Sequence, residues 1–379
     1  MIRNIKALTA SSYLSMFLLG FTTTVIGAAA RNIGLTPYQI GVMLAVQNVG
    51  FITAVAISGA LADMREKPRL LAVGSLVMFV GLLVFFVTDL FALYLLAMFL
   101  IGAGAGSYEG VSDAMLMDLH RGRESVHISI NHFFVTFGSA GITVYMIFLQ
   151  MNWRNAVVQA AVVVLLLTVF FALARLAVRS SGGGSYRARL ALLTRERAVV
   201  FLFATTVLVV GVETGFIGIL TTFLMELRGF DQVTSKVGLL IFLAGVFTGR
   251  LVVGFLTPRR HIPLVITGLI GLSIITFSVL FTVRLGEWIY LPVYVAGFSL
   301  SALLPMILSA AGLLYREISG TVLGLVKVAI PLGSIVMPLA VGLVANNSSF
   351  ETSLYVFPAA FVAAFAIMLV GARHMRIAD

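Results

Sequence analysis

Cysteine is absent from the 379 residues, so no disulfide, thiolate nucleophile or Cys-ligated metal is available. Charge is scarce too: Asp, Glu, Lys and Arg make up 11% of the chain, against roughly 25% in an ordinary soluble domain. So little polar surface cannot cover a water-soluble protein of this size, which excludes a soluble enzyme, a nucleic-acid reader and a disordered linker protein. His-Glu-x-x-His, P-loop and Gly-x-Ser-x-Gly patterns are missing. The five histidines, at 120, 127, 132, 261 and 374, form no metal constellation by spacing. No cofactor is implied.

What fills the chain is apolar, at 60% of residues. Runs of 20 or more match the roughly 20 helical residues that cross a hydrocarbon core about 30 Å thick. Spans are expected near 8–30, 38–61, 70–88, 91–117, 128–149, 156–176, 198–225, 237–257, 262–283, 288–314, 320–345 and 352–372. In lipid each backbone polar group must be satisfied within its own segment, so these twelve are predicted helices. The alternating ten-residue segments of a membrane barrel are absent. The first run continues into a second with no small-residue cleavage site, and reads as a span.

The net charge of +10 then has a topological reading. With both termini cytoplasmic, the inner segments carry 18 of the 25 Lys and Arg residues and the outer loops carry five: Arg31, Arg154, Arg228, Lys236 and Arg284. That asymmetry follows the positive-inside rule and predicts a multi-pass protein of the cytoplasmic (inner) membrane. The cations are spread over seven short segments without interleaved aromatics, so they make no nucleic-acid platform.

A Ser-Ser-Gly-Gly-Gly-Ser run at 180–185, followed by an Arg-rich piece, separates six spans from six. It predicts a first half over 1–178, a cytoplasmic linker over 179–197 and a second half over 198–379. One shift of 195 residues superposes the halves: Gly20 on Gly215, Gly50 on Gly245, Thr53 on Thr248, Gly59 on Gly254, Gly102 on Gly297 and Gly138 on Gly333. Six matches in one ungapped register indicate an internal repeat of two six-helix units.

These segments resemble the major facilitator superfamily. Gly59-Ala-Leu-Ala-Asp63-Met-Arg65-Glu-Lys67-Pro-Arg69 resembles its inner-loop signature, in which the glycine admits a close helix and the acid makes and breaks ion pairs with cations. The counterpart Gly254-Phe-Leu-Thr-Pro-Arg259-Arg260 has Pro258 in place of the acid. Within the superfamily the chain is most similar to the fucose/glucose–proton symporter group, through Gly102-Ala-Gly-Ala-Gly-Ser-Tyr108-Glu109, Val212-Glu213-Thr-Gly-Phe, Thr248-Gly-Arg250-Leu-Val-Val-Gly254 and Leu304-Pro305. It departs from that group at the first span, which offers Thr22, Thr23 and Thr24 where an acid is expected. The resemblance implies an all-α membrane protein, a non-enzyme, expected to act as a monomer and to move solutes by alternating access.

Glu109, Asp113, Glu213, Arg250 and Lys327 fall inside the spans. Each costs at least about 2.5 kcal/mol at mid-helix and is a functional candidate by default. Glu109 and Asp113, four apart, share a helix face beside a Gly102/Gly106/Gly110 ladder, and two carboxylates there resist joint ionisation, as proton coupling requires. Gln47, Asn48, Tyr108, Asn131, His132, Glu213 and Lys327 are the expected substrate contacts, with Glu213 in the outer half of its span. Gly59, Asp63, Arg65, Arg69 and Arg250 are the expected gating group. Lys327, the repeat partner of His132, is open to three readings: pairing with a carboxylate across a gate, binding an anionic substrate, or a permanent structural pair. With no nucleotide motif, uphill transport has to be ion-driven. The expected partners are therefore a small polar solute such as a sugar, protons and the lipid bilayer. The 15 Met and 29 Phe keep open export of a drug or amphiphilic lipid through an apolar cavity.

Overall fold

The computed structural model describes residues 4–33, 37–148, 153–176, 186–371, 373 and 375. Of the features read from sequence, Arg3, Arg179, Arg376, His374 and the 180–185 run lie outside the described residues, as do the side chains of Arg31 and Arg187. The regular elements are helices with no strand among the described residues: α1 (Ile5–Ile33), α2 (Pro37–Ala62), α3 (Lys67–Val87), α4 (Phe91–Leu119), α5 (Glu124–Phe148), α6 (Trp153–Leu173), α7 (Tyr186–Leu193), α8 (Arg197–Arg228), α9 (Gln232–Leu256), α10 (Ile262–Thr282), α11 (Tyr290–Ser301), α12 (Leu303–Leu314), α13 (Ser319–Lys327), α14 (Ala329–Asn347), α15 (Phe350–Ser353) and α16 (Val356–Gly371). Ten stretches of the described chain are long and apolar enough to cross a membrane. Helices α1 and α5, of 29 and 25 residues, stand at the first and fifth expected spans. The twelve-span helical architecture follows.

Spans ten, eleven and twelve depart from the expectation of single helices. They break after Ser301, Lys327 and Ser353, and prolines follow at 305, 331 and 358. Proline has no N–H, so the carbonyl four residues earlier, at Ser301, Lys327 and Leu354, loses its helical donor and the ring crowds that turn. Pro338 lies inside α14 without ending it. A missing donor therefore accompanies these breaks and is not sufficient for one.

The chain forms two compact units, residues 1–190 with 315–328, and residues 191–314 with 329–379. In the first, α2 crosses α4 so closely that a Cβ on Gly50 would stand 2.2 Å from the Phe99 carbonyl oxygen, and one on Gly102 2.0 Å from that of Gln47. In the second, α9 crosses α11 the same way: Gly245 would meet the Tyr294 oxygen at 2.2 Å and Gly297 the Phe242 oxygen at 2.1 Å. Both partners in each pair are related by the 195-residue shift, so the repeat is one of contacts as well as of letters. The α1–α5 crossing is less faithfully copied. Gly20 and Gly138 would meet the carbonyls of Val135 and Phe17, whereas Gly333 on α14 abuts Val207 and Gly211 of α8. That crossing has slid about one turn along α8, leaving Gly215 against the Phe357 ring.

Burial of aromatics centres the second unit. Phe216 has the rings of Phe242, Phe277, Phe281 and Phe357 at 5.5, 4.7, 6.2 and 6.0 Å, all edge-on, the arrangement that aromatic quadrupoles favour. Met16, Met43, Met78, Met98 and Met115 are likewise fully buried in the first unit. These residues are therefore packed core, whereas Phe137 and Phe255 are exposed.

Candidate functional site: a buried charge cluster

Helix α4 has two working faces. Along one, Gly102, Gly106 and Gly110 sit against the Gln47 carbonyl, the Phe51 carbonyl and the Ser58 side chain of α2, where any Cβ would approach to 2.0, 2.3 and 2.3 Å. The ladder read from sequence is thus the seat of α2. On the other face Glu109 and Asp113 are both buried and come together with α5 and α13.

Lys327 is fully buried at the last residue of α13. Its Nζ donates to Asp113 Oδ2 at 2.6 Å and to the backbone oxygen of Glu109, and lies 3.0 Å from Glu109 Oε1. His132 Nε2 meets the same Asp113 Oδ2 at 2.9 Å and lies 3.8 Å from Glu109 Oε1. Asn131 Nδ2 donates to Asp113 Oδ1 at 2.7 Å and to Ser112 Oγ at 3.0 Å, while its Oδ1 accepts from Ser12 Oγ of α1 at 3.3 Å. The repeat-related residues His132 and Lys327 therefore converge on one carboxylate oxygen. Donor atoms of Glu109, Asp113 and His132 lie within 4.8 Å of one another, a spacing that suits a cation. The Lys327 ammonium supplies that cation from the chain itself.

The two acids are not equivalent. Asp113 is held by Asn131, His132 and Lys327, so both its oxygens are satisfied. Glu109 Oε1 has the Lys327 charge beside it but no well-formed hydrogen bond. With imidazole neutral, two carboxylates and one ammonium leave one uncompensated negative charge in a water-poor interior. One proton removes it.

The inner-loop group is wired differently from the sequence expectation. Asp63 does not pair with the cations that follow it. Its Oδ1 accepts from the Gly320 N–H at 2.7 Å, its Oδ2 from the Thr321 N–H at 2.7 Å and from Thr321 Oγ1 at 2.5 Å, and Arg189 Nη1 adds a longer contact at 3.4 Å. Helix α13 has no side-chain cap of its own, and Asp63 caps it from the turn after α2, where the helix dipole also favours an anion. Burial pushes the Asp63 carboxyl above its ordinary value, against the lowering effect of those hydrogen bonds. Gly59 lies against α13, where a Cβ would stand 2.7 Å from Gly324 Cα. Lys67 pairs with Asp118 at 2.6 Å, Arg69 with Glu66 at 2.6 Å, and Arg65 is exposed. Asp63, Lys67, Asp118, Arg121 and Arg316 line a charged cleft of about 440 Å³.

In the second unit Glu213 and Arg250 meet, which the sequence reading, assigning one to substrate contact and the other to gating, did not foresee. Glu213 is the seventeenth residue of the 32-residue α8, a helix about 48 Å long and so longer than the hydrocarbon core. It stands just past mid-helix. Arg250 Nη2 donates to Glu213 Oε1 at 3.1 Å and its Nε donates to the Ser301 carbonyl at 3.2 Å. Pro305 has stripped that carbonyl of its helical donor, and the guanidinium replaces it. The proline four residues beyond a mid-span polar position was the available signal.

The remaining candidates stand apart from the cluster. Tyr108 is buried with its hydroxyl on Ser75 of α3 at 2.7 Å. Asn48 spends its amide on the Leu44 carbonyl at 3.0 Å. Gln47 is buried, and its Nε2 has no partner among the described residues. Sequence reasoning also missed a histidine pair: the rings of His120 and His127 stack at 3.5 Å, with Thr9 on His120 at 2.7 Å and Tyr13 on His127 at 2.5 Å. Burial holds His120 below the ordinary imidazole value.

The sequence model of the family described as Major Facilitator Superfamily matches residues 8–329. No curated protein sequence is similar enough to match. Among solved structures, the E. coli fucose:proton symporter superposes with a TM-score of 0.81 at 16% identity, covering 97% of this chain and 99% of that one. A proton:xylose symporter bound to 6-bromo-6-deoxy-D-glucose gives 0.72 at 14% identity over 97% and 95%. A human organic anion transporter gives 0.78 at 15% identity over 97% and 100%. At such identities the likeness concerns the fold.

Proposed function

The chain belongs to the major facilitator superfamily of membrane transporters, is not an enzyme, and on that premise we propose that it is a proton-coupled secondary transporter that takes up a small polar solute, a sugar or related compound, by alternating access. The observation that carries this reading is the make-up of the buried cluster: one ammonium and one imidazole serve two carboxylates, so that with a neutral imidazole the site is one proton short of neutrality. Proton transfer changes the net charge of a desolvated site, which is the largest free-energy lever such a site has. Glu109 is the proton carrier, because its Oε1 lacks a hydrogen bond that protonation would disrupt. Asp113 anchors Lys327, His132 and Asn131. Protonated Glu109 loosens its hold on Lys327 and deprotonated Glu109 restores it, linking proton occupancy to the position of α13.

The proposal includes the topology read from charge: both termini cytoplasmic, an inner-membrane location, a monomer, and halves over 1–178 and 198–379 joined by the 179–197 linker. Carriage of an organic anion by Lys327 is less well supported, because the ammonium is fully buried and already lies against two carboxylates and a carbonyl. Gln47, with its unpartnered amide, is the substrate-contact candidate that the geometry leaves most available.

The test is uptake in proteoliposomes under an imposed inward proton gradient, starting from hexoses and pentoses. Glu109→Gln should abolish gradient-driven accumulation while retaining counterflow exchange, since an amide keeps the dipole but cannot cycle a proton. Unchanged accumulation in that variant would overturn the assignment.

A further inference from the structure

Arg189 stands on α7, the short helix between the two sets of six spans, and is only 6% exposed. Its Nη1 reaches Asp63 Oδ2 at 3.4 Å, while Nε and Nη2 have no hydrogen-bond partner among the described residues. A buried donor left unmatched carries its full desolvation penalty, larger for a charged group. The contacts that Arg189 makes here therefore do not account for its burial. Its two idle nitrogens are neighbours: Nε and Nη2 form the side edge of the guanidinium plane, a rigid fork that matches both oxygens of one carboxylate.

Asp63 is the carboxylate within reach, and α13 occupies it. The Gly320 N–H, the Thr321 N–H and the Thr321 hydroxyl all donate to it. Lys67 and Arg69 are engaged with Asp118 and Glu66, so withdrawal of α13 would strip Asp63 of three donors and leave Arg189 beside it. The seam between α2 and α13 is made of backbone on backbone. A Cβ on Gly320 would stand 2.6 Å from the Gly59 oxygen, and one on Gly324 3.1 Å from Gly59 Cα. Such a seam can part without unlacing long side chains. Helix α13 is tied at both ends, to Asp63 at its start and through Lys327 to Glu109 and Asp113 at its last residue, nine residues or about 13 Å along.

We propose that Arg189 is a positioning residue of the gate: when α13 releases Asp63, the Nε and Nη2 fork closes on the Asp63 carboxylate and holds the released state. One set of donors replaces another, so the buried carboxylate is compensated in both states. The inference rests on the reading above, in which protonation of Glu109 loosens the Lys327 end of the same helix. It makes the segment between the halves a working part of the gate.

The test is hydrogen exchange of the full chain in mild detergent, resolved to single amides by mass spectrometry. The Gly320 and Thr321 N–H groups lie in the first turn of α13, where a helix offers no carbonyl, so their protection reports the Asp63 contact itself. Neither solute nor proton gradient is needed, so failure here and failure of the uptake assay are separate results. Arg189→Gln should slow exchange at both amides about tenfold, through loss of charge-assisted hydrogen bonds that only the released state makes. Arg189→Lys keeps the charge without the fork and should recover at most part of that loss. It carries the test alone if melting curves show that Arg189→Gln does not fold. Faster exchange in Arg189→Gln would mean that Arg189 supports the docked state, and unchanged exchange that it is a bystander. Either result overturns the proposal, as does wild-type exchange in Arg189→Lys.

Discussion

Replacing Lys327 with Met keeps the length and apolar stem of the side chain and removes one positive charge. The wild-type cluster carries a net charge of minus one when His132 is neutral; Lys327→Met takes it to minus two, with Glu109 and Asp113 both desolvated. Removing one partner of a buried ion pair costs about 3–5 kcal/mol, because the other is left uncompensated. The same arithmetic gives the opposite sign for Glu109→Gln, which brings the cluster to neutrality and should leave stability unchanged or higher. Combining the two returns the charge to minus one, but with Asp113 relying on His132 and Asn131 alone. The expected order at neutral pH is therefore Glu109→Gln at or above wild type, then wild type, then the double variant, then Lys327→Met. Lowering the pH should narrow the last gap, since protons can replace the missing ammonium. Denaturant unfolding in mild detergent, followed by circular dichroism at several pH values, reads these differences. A Lys327→Met protein as stable as wild type at neutral pH would refute the reasoning, and so would a Glu109→Gln protein that is several kcal/mol less stable.

Other expectations concern the helix ends and breaks. Asp63→Ala should destabilise the chain by about 0.5–2 kcal/mol, the worth of an N-cap, measured by the same unfolding. Because burial raises the folded-state pKa of Asp63, its contribution should be full below the ordinary carboxylate range and diminish as pH rises through the raised value, so the gap between wild type and Asp63→Ala should narrow with rising pH. Gly59→Ala would drive a methyl to 2.7 Å from Gly324 Cα and should cost about 1–3 kcal/mol by overpacking, with a corresponding fall in melting temperature. Pro305→Ala restores a donor for the Ser301 carbonyl, so Arg250→Gln should be less damaging in that background, with a double-mutant coupling of about 0.5–3 kcal/mol. Strict additivity would show that Arg250 does not serve that carbonyl.

Much of the architecture was legible in the sequence because the bilayer imposes local rules. Length and hydropathy alone place the twelve spans, since each must satisfy its backbone within itself. The 195-residue repeat was visible because glycine marks close crossings, and Gly50/Phe99 against Gly245/Tyr294 shows that the letters encoded contacts. The acids at 109 and 113 and the lysine at 327 were readable because an isolated charge in a span demands compensation.

Partner choice is where the sequence stopped. Composition states that Lys327 needs an anion, but whether it meets Asp113, Glu109 or a substrate depends on where α13 docks, which no local rule fixes. Asp63 sits among cations in sequence and binds none of those that follow it, because a helix N-terminus brought beside it offers two aligned N–H groups and a hydroxyl. Glu213 and Arg250 lie 37 residues apart and meet only because α8 and α9 pack at the level where Pro305 frees a carbonyl. Local periodicity determines which segments are helices and which faces are small. Long-range packing alone decides which buried charges share a partner, because each interaction joins groups that become neighbours only after the chain has folded.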